Sequence, residues 1–243
     1  MSLEWAPALI LFLSAFTFGF SGFGFALVSV PLLALVMPIK TAVAFQFPYA
    51  TILVLYHAWH YRRHVEHREL WPIVLGSALG MPIGLWLLYQ APEMLLKRAL
   101  ALFIVLAIAG TALPAGRRLA RLHAGKAWWG ALWGLVSGWF QGAYSTGGPP
   151  AVIYVMSLDP SPAKAMGFLG SYFSFLYLVM AGLYAASGLL SWPLLKTSAL
   201  YAPVVLAGTV LGHLALGRMG GRAYRQGVNL LLVITAVLLW LRT

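Results

Sequence analysis

The chain has 243 residues, 61% of them hydrophobic and only 9% charged, with a mean hydropathy of +0.85. An ordinary globular domain, in which about a quarter of residues are charged, is excluded. A formal net charge of +11 would point to nucleic acid in a soluble protein, but in so apolar a chain the placement of the charges says more than their sum.

Apolar stretches lie near residues 8–37, 41–60, 71–90, 95–113, 128–157, 165–190, 193–216 and 227–241. They approach or exceed the roughly 20 residues that span a bilayer, which predicts an all-α polytopic membrane protein with no room for a soluble domain. The first stretch follows MSLEWAP, which has no basic lead-in, so it is expected to be retained rather than cleaved. Ten of the 16 Lys and Arg residues fall in three loops: Arg62, Arg63 and Arg68; Arg117, Arg118, Arg121 and Lys126; Arg218, Arg222 and Arg225. The bias of basic loops to the cytoplasm places all three there. The absence of cysteine excludes disulfides and thiolate metal sites.

Two stretches, 5–37 and 128–157, are too long for one untilted span and are interrupted by glycine. In the second, residues 137–154 read SGWFQGAYSTGGPPAVIY. Gly147 and Gly148 loosen the backbone, and Pro149 and Pro150, with fixed φ and no N–H, suit the first turn of a new helix. One helix is expected to end here and another to begin. Backbone groups freed by such a break are tolerated in hydrocarbon only where protein or a watery cavity covers them, so the break is a candidate binding site.

The two halves resemble each other. At an offset of 124 residues Ser21 meets Ser145, Gly24 meets Gly148, Pro38 meets Pro162 and Lys40 meets Lys164. Trp71-Pro72 answers Trp192-Pro193 at 121, and Gly80-x-x-x-Gly84 answers Gly208-x-x-x-Gly212 at 128. The expected organisation is a first transmembrane repeat over 1–114, a basic cytoplasmic linker over 115–126 and a second repeat over 127–243. Each repeat reads as a re-entrant, Gly/Pro-broken hairpin followed by three transmembrane helices. A hairpin is required because a single crossing over 128–157 would put the basic loops near 121 and 222 on opposite faces. Each half then crosses an odd number of times, so the repeats are inverted. Inverted repeats with broken helices at the midplane are a recurrent transporter architecture.

The second helix of each hairpin begins at the tip, where unpaired N–H groups and the positive dipole end favour an anion. The tips offer Ser21, Gly22 and Gly24 in one half and Gln141, Tyr144, Ser145, Thr146, Gly147 and Gly148 in the other. Gln46, Tyr49 and Tyr172, on the helices that follow, are secondary candidates, with interhelical hydrogen bonding as the competing role. Lys40 and Lys164 stand at equivalent hairpin ends, either drawing an anion to each entrance or snorkelling to the headgroups. The five carboxylates, Glu4, Glu66, Glu69, Glu93 and Asp159, all fall in loops or at helix ends. A coupling ion, proton or sodium, would therefore have to use carbonyls, hydroxyls or a histidine such as His57 or His213. No cofactor or metal is expected. The partners are a small anionic substrate and the lipid bilayer rather than nucleic acid, with self-association left open. Two other readings stay open: a passive anion channel, and a membrane metalloenzyme holding iron through His57, His60, His64 and His67.

The motifs Gly19-Phe-Ser-Gly22-Phe-Gly24 leading to Pro31-Leu-Leu, and Gly138-Trp-Phe-Gln-Gly142 leading to Ser145-Thr-Gly-Gly-Pro149, together resemble the TauE/SafE sulfite exporter family. The Pro38-x-Lys40 turn and the Tyr61-Arg-Arg loop are similar too, so the likeness covers nearly the whole chain. The resemblance implies a permease of the bacterial inner membrane, not an enzyme. It would move sulfite, sulfonates or related organic anions by alternating access.

Overall fold

The computed structural model describes residues 4–64, 67–112, 121–215 and 221–241. Within them the chain is helical: α1 Trp5–Ser21, α2 Phe25–Leu33, α3 Ile39–Tyr61, α4 His67–Gln90, α5 Glu93–Ala112, α6 Ala127–Tyr144, α7 Gly148–Ser157, α8 Pro162–Ala186, α9 Trp192–Ala199, α10 Ala202–Ala215 and α11 Gly221–Leu241. Arg117, Arg118, Arg218, Glu66 and the first half of the expected basic linker, 115–120, lie outside the described residues. Three helices, over 39–64, 68–90 and 163–186, are long and apolar enough to cross a membrane, and α9 with α10 makes a fourth if the bent pair counts as one span.

Both expected helix breaks are present, and residue chemistry accounts for each. α1 ends at Gly22 (φ 75°) and α2 begins after Gly24 (φ 91°), two left-handed positions that glycine occupies without a Cβ penalty. α6 ends at Ser145, also left-handed at φ 57°, with its N–H on the Gln141 carbonyl at 2.8 Å and the Thr146 N–H on Phe140 O at 3.4 Å. The two bonds tie off carbonyls of the last turn. α7 then starts with Pro149 and Pro150 in its first turn and runs back along α6. Its Tyr154 hydroxyl lies 2.8 Å from where a Cβ on Gly130, near the start of α6, would sit. The arms are unequal: α1 and α6 have 17 and 18 residues, α2 and α7 only 9 and 10. At about 1.5 Å per residue the short arms reach roughly half of a ~30 Å hydrocarbon core.

A third break was not expected. The stretch 193–216, which reads as one apolar helix, is bent by 51° between α9 and α10. Pro203 disfavours helical φ/ψ at Ala202 and removes a ladder N–H, so α9 stops and α10 restarts. The repeat offsets carry the same signal: they grow from 121 at Trp192-Pro193 to 128 at Gly208 and Gly212. The second half therefore has seven extra residues, about two helical turns, where the bend falls.

The chain forms two compact units that each draw on both sequence halves. One holds the chain up to Ala50, Ala91–Val105 and everything from Tyr184 onward; the other holds Thr51–Gln90 and Leu106–Leu183. In the first unit α1 lies on α10, and α2 packs against both α1 and α11. Gly208 and Gly212 of α10 abut the carbonyls of Phe12 and Phe16, while Gly19 abuts Thr209 O. In the second unit α4 lies on α6, with Gly76, Gly80 and Gly84 against the carbonyls of Ala131, Leu135 and Trp139, and Gly134, Gly138 and Gly142 against those of Ile73, Ser77 and Met81. At each of these positions any Cβ would strike the partner's backbone, so small residues here serve close helix approach. In both pairs residue numbers rise together, so each pair runs parallel.

Candidate functional site

The second hairpin tip concentrates buried polar groups. Gln141, Ser145 and Thr146 are 1%, 1% and 2% exposed, and Tyr144 is buried beside them. Local chemistry explains how they are held. Ser145 ends α6 in a left-handed turn and Gly147 caps α7, so the Ser145 carbonyl lies outside both helix ladders and the tip must use side chains. Ser145 O accepts from the Tyr177 hydroxyl of α8 at 3.0 Å. Gly147 O accepts from the Ser137 hydroxyl at 2.6 Å, and the Gly147 N–H donates to Gln141 Oε1 at 3.0 Å. Three polar atoms at the tip keep no partner: Gln141 Nε2, Ser145 Oγ and Thr146 Oγ1. The side chains of Gln141 and Ser145 both lie close to the Tyr177 hydroxyl, whose own hydrogen goes to Ser145 O. Nothing lies within 4 Å of where a Cβ on Gly148 would sit, so there is room beside the first residue of α7.

Buried polar atoms left without partners are rare, since each forfeits a desolvation penalty of about 1–3 kcal/mol. Ser145 adds backbone strain, because a non-glycine residue in the left-handed region costs on the order of 1 kcal/mol or more. The first hairpin places Gly22 at the corresponding cap, with its N–H on Phe18 O at 2.7 Å. The cap therefore pairs Gly22 with Ser145, whereas a uniform offset of 124 pairs Ser21 with it.

The other sequence candidates are placed differently. The Ser21 hydroxyl is used inside its own tip, facing Thr17 O at 2.7 Å and Phe23 O at 2.8 Å. The first tip, Ser21, Gly22 and Gly24, thus presents backbone, since α2 starts without proline and without a side-chain cap. Gln46 is fully buried; its Nε2 donates to Val43 O at 3.2 Å and its Oε1, an acceptor, has no partner. The Tyr49 hydroxyl bonds Ser198 O, at the end of α9, and the Ser198 hydroxyl donates to Phe45 O at 3.0 Å, which staples the α9–α10 bend to α3. Tyr172 sits in a hydroxyl chain: 2.5 Å from Ser77 Oγ, and donating to Ser137 Oγ at 2.7 Å. In each unit, then, a tyrosine from the helix after the hairpin reaches a serine on a helix of the other half. Lys40 opens α3. Lys164 lines a cleft of about 200 Å³ with Glu69, Asp159, Ser161 and Phe168 at the base of the second hairpin.

Sequence reading missed Ser77, Ser137, Tyr177 and Ser198. Ser137 opens the 137–154 stretch, and Ser77 adjoins Gly76, so both were masked by the commoner role of small residues in packing. Tyr177 carried no local signal. As for the histidines, no three His or acidic side chains among the described residues gather around one point, and the side chain of His67 lies outside them.

A family model for the sulfite exporter TauE/SafE matches residues 8–239. The chain belongs to the TauE/SafE family. No curated protein and no solved structure matches it. For a TauE/SafE member, a sulfite exporter by family description, the buried tip is where neutral donors meet a helix start with room beside it.

Proposed function

We propose that this TauE/SafE protein is a secondary transporter of small oxyanions, sulfite, sulfonates or kindred organic anions, in the bacterial inner membrane. The anion is held at the start of α7. The observation that carries this reading is the set of three unpartnered, deeply buried atoms, Gln141 Nε2, Ser145 Oγ and Thr146 Oγ1, all able to donate. Donors without permanent charge hold an anion while leaving its release affordable. The first tip contributes bare amides of α2 in its own unit.

Helix direction supports re-entrant hairpins and inverted repeats. α10 leads towards Arg218, Arg222 and Arg225, the last two in the opening turns of α11, so the bias of basic helix ends to the cytoplasm runs it from the outer face inward. α1 is parallel to α10 and therefore starts outside; α3 also runs inward, towards Arg62 and Arg63. The α1–α2 segment thus begins and ends on the outer face. By the same logic α4 and α6, parallel to one another, both start at cytoplasmic basic loops. Alternating access between two packings of such halves is the transport mechanism this architecture serves.

Purified protein in nanodiscs, titrated with sulfite, thiosulfate, methanesulfonate and acetate, tests the site. Thr146→Val, which keeps shape and loses the donor, is expected to weaken binding of the best anion about tenfold or more without lowering the unliganded melting temperature. Equal affinity in wild type and variant would refute the site. Proteoliposome flux against an opposing anion gradient separates a carrier from a channel: uphill movement driven by a proton or sodium gradient is expected.

A further inference from the structure

We infer that the second tip favours a ligand whose bound end brings hydrogen-bond acceptors over one that brings donors, and that Tyr177 and Ser137 are the positioning residues that make it so. The inference rests on the anion site proposed above. Three acceptors of the tip are already occupied by protein donors: Ser145 O by the Tyr177 hydroxyl, Gly147 O by the Ser137 hydroxyl, and Gln141 Oε1 by the Gly147 N–H. The atoms left over are an amide nitrogen, which only donates, and two hydroxyls, which can turn their hydrogens to an oxyanion. Ser145 sits at the left-handed cap between α6 and α7, so its carbonyl belongs to neither helix ladder and needs a side-chain donor. Without the Tyr177 hydroxyl, a buried carbonyl dipole would stand unpaired beside the ligand, repelling an oxyanion and welcoming an N–H.

Ser137 is itself fixed by the hydroxyl chain. Tyr172 donates to it at 2.7 Å, so its own hydrogen is free to go to Gly147 O, and Ser77 lies 2.5 Å from Tyr172. Tyr172 serves the site through Ser137.

Methanesulfonate and methanesulfonamide make the test. They share shape, but one ends in three acceptor oxygens while the other exchanges an anionic oxygen for an NH2 donor. Affinities of both are measured by competition in nanodiscs for wild type, Tyr177→Phe, Ser137→Ala and Thr146→Val. Wild type is expected to prefer the sulfonate. Tyr177→Phe is expected to lower the sulfonate-to-sulfonamide preference about tenfold or more, because it frees an acceptor the sulfonamide can use. Ser137→Ala, which only deletes a hydroxyl, should shift the ratio the same way and stands in should Tyr177→Phe fold poorly. A merely structural role would lower stability and leave the ratio unmoved; an unchanged ratio in both variants overturns the inference while wild-type sulfonate binding, weakened by Thr146→Val, leaves the anion site standing. Absence of sulfonate binding in wild type, or its indifference to Thr146→Val, overturns both.

Discussion

Replacing Ser145 with glycine should make the protein more stable and worse at binding its anion. In the unliganded protein Ser145 has two unfavourable features: a left-handed backbone at φ 57° and a buried hydroxyl that makes no hydrogen bond to protein. Relief of the backbone strain is worth about 1–2 kcal/mol. Removal of the orphan hydroxyl adds about 1 kcal/mol. Glycine's greater unfolded-state freedom takes back about 0.5–1 kcal/mol. The net is a gain of about 1–2 kcal/mol, visible as a rise of a few degrees in melting temperature of the nanodisc-embedded protein. Loss of a hydrogen bond to a charged ligand costs about 1.5–3 kcal/mol, or roughly ten- to a hundredfold in affinity. Ser145→Ala separates the terms: it keeps the strain, loses the donor, and should weaken binding equally with less stabilisation. A glycine variant that melts lower than wild type, or binds the anion as tightly, would refute the reasoning.

Gly138→Ala places a methyl in the Ser77 backbone and should cost about 2–3 kcal/mol by overpacking, whereas Gly182→Ala, on the open side of α8, should gain about 0.5–1 kcal/mol; melting temperatures of the two variants should bracket wild type. Because the chain has no cysteine, single-cysteine labelling needs no background removal. With a membrane-impermeant maleimide on intact cells, Glu4→Cys and Pro92→Cys should label from outside, and Arg121→Cys and Ser161→Cys only after the inner face is opened. Labelling of Arg121→Cys and Ser161→Cys from opposite faces would show that α6 and α7 cross the membrane and would end the hairpin reading.

Much of this protein is legible in one dimension. Hydropathy alone announces membrane helices, because the bilayer imposes a length and an apolarity on any segment that crosses it. Gly22, Gly24, Ser145 and the Gly147–Pro150 run declare their breaks locally, since backbone dihedrals and missing N–H groups are properties of the residues themselves. Pro203 and the jump in repeat offset declare the third break by the same local means. What only the tertiary structure decided is pairing. That α1 seats on α10 and α4 on α6, each a helix from the other half, depends on which glycine rows meet. Nothing in the sequence distinguishes those rows from other small-residue rows. The hydroxyls follow suit: Tyr177 caps the Ser145 carbonyl, 32 residues away in sequence, and Tyr172 and Tyr49 turn out to hold serines. Whether a buried hydroxyl is already satisfied or still open to a ligand is a matter of angstroms between distant segments, and the order of residues along a chain does not contain it.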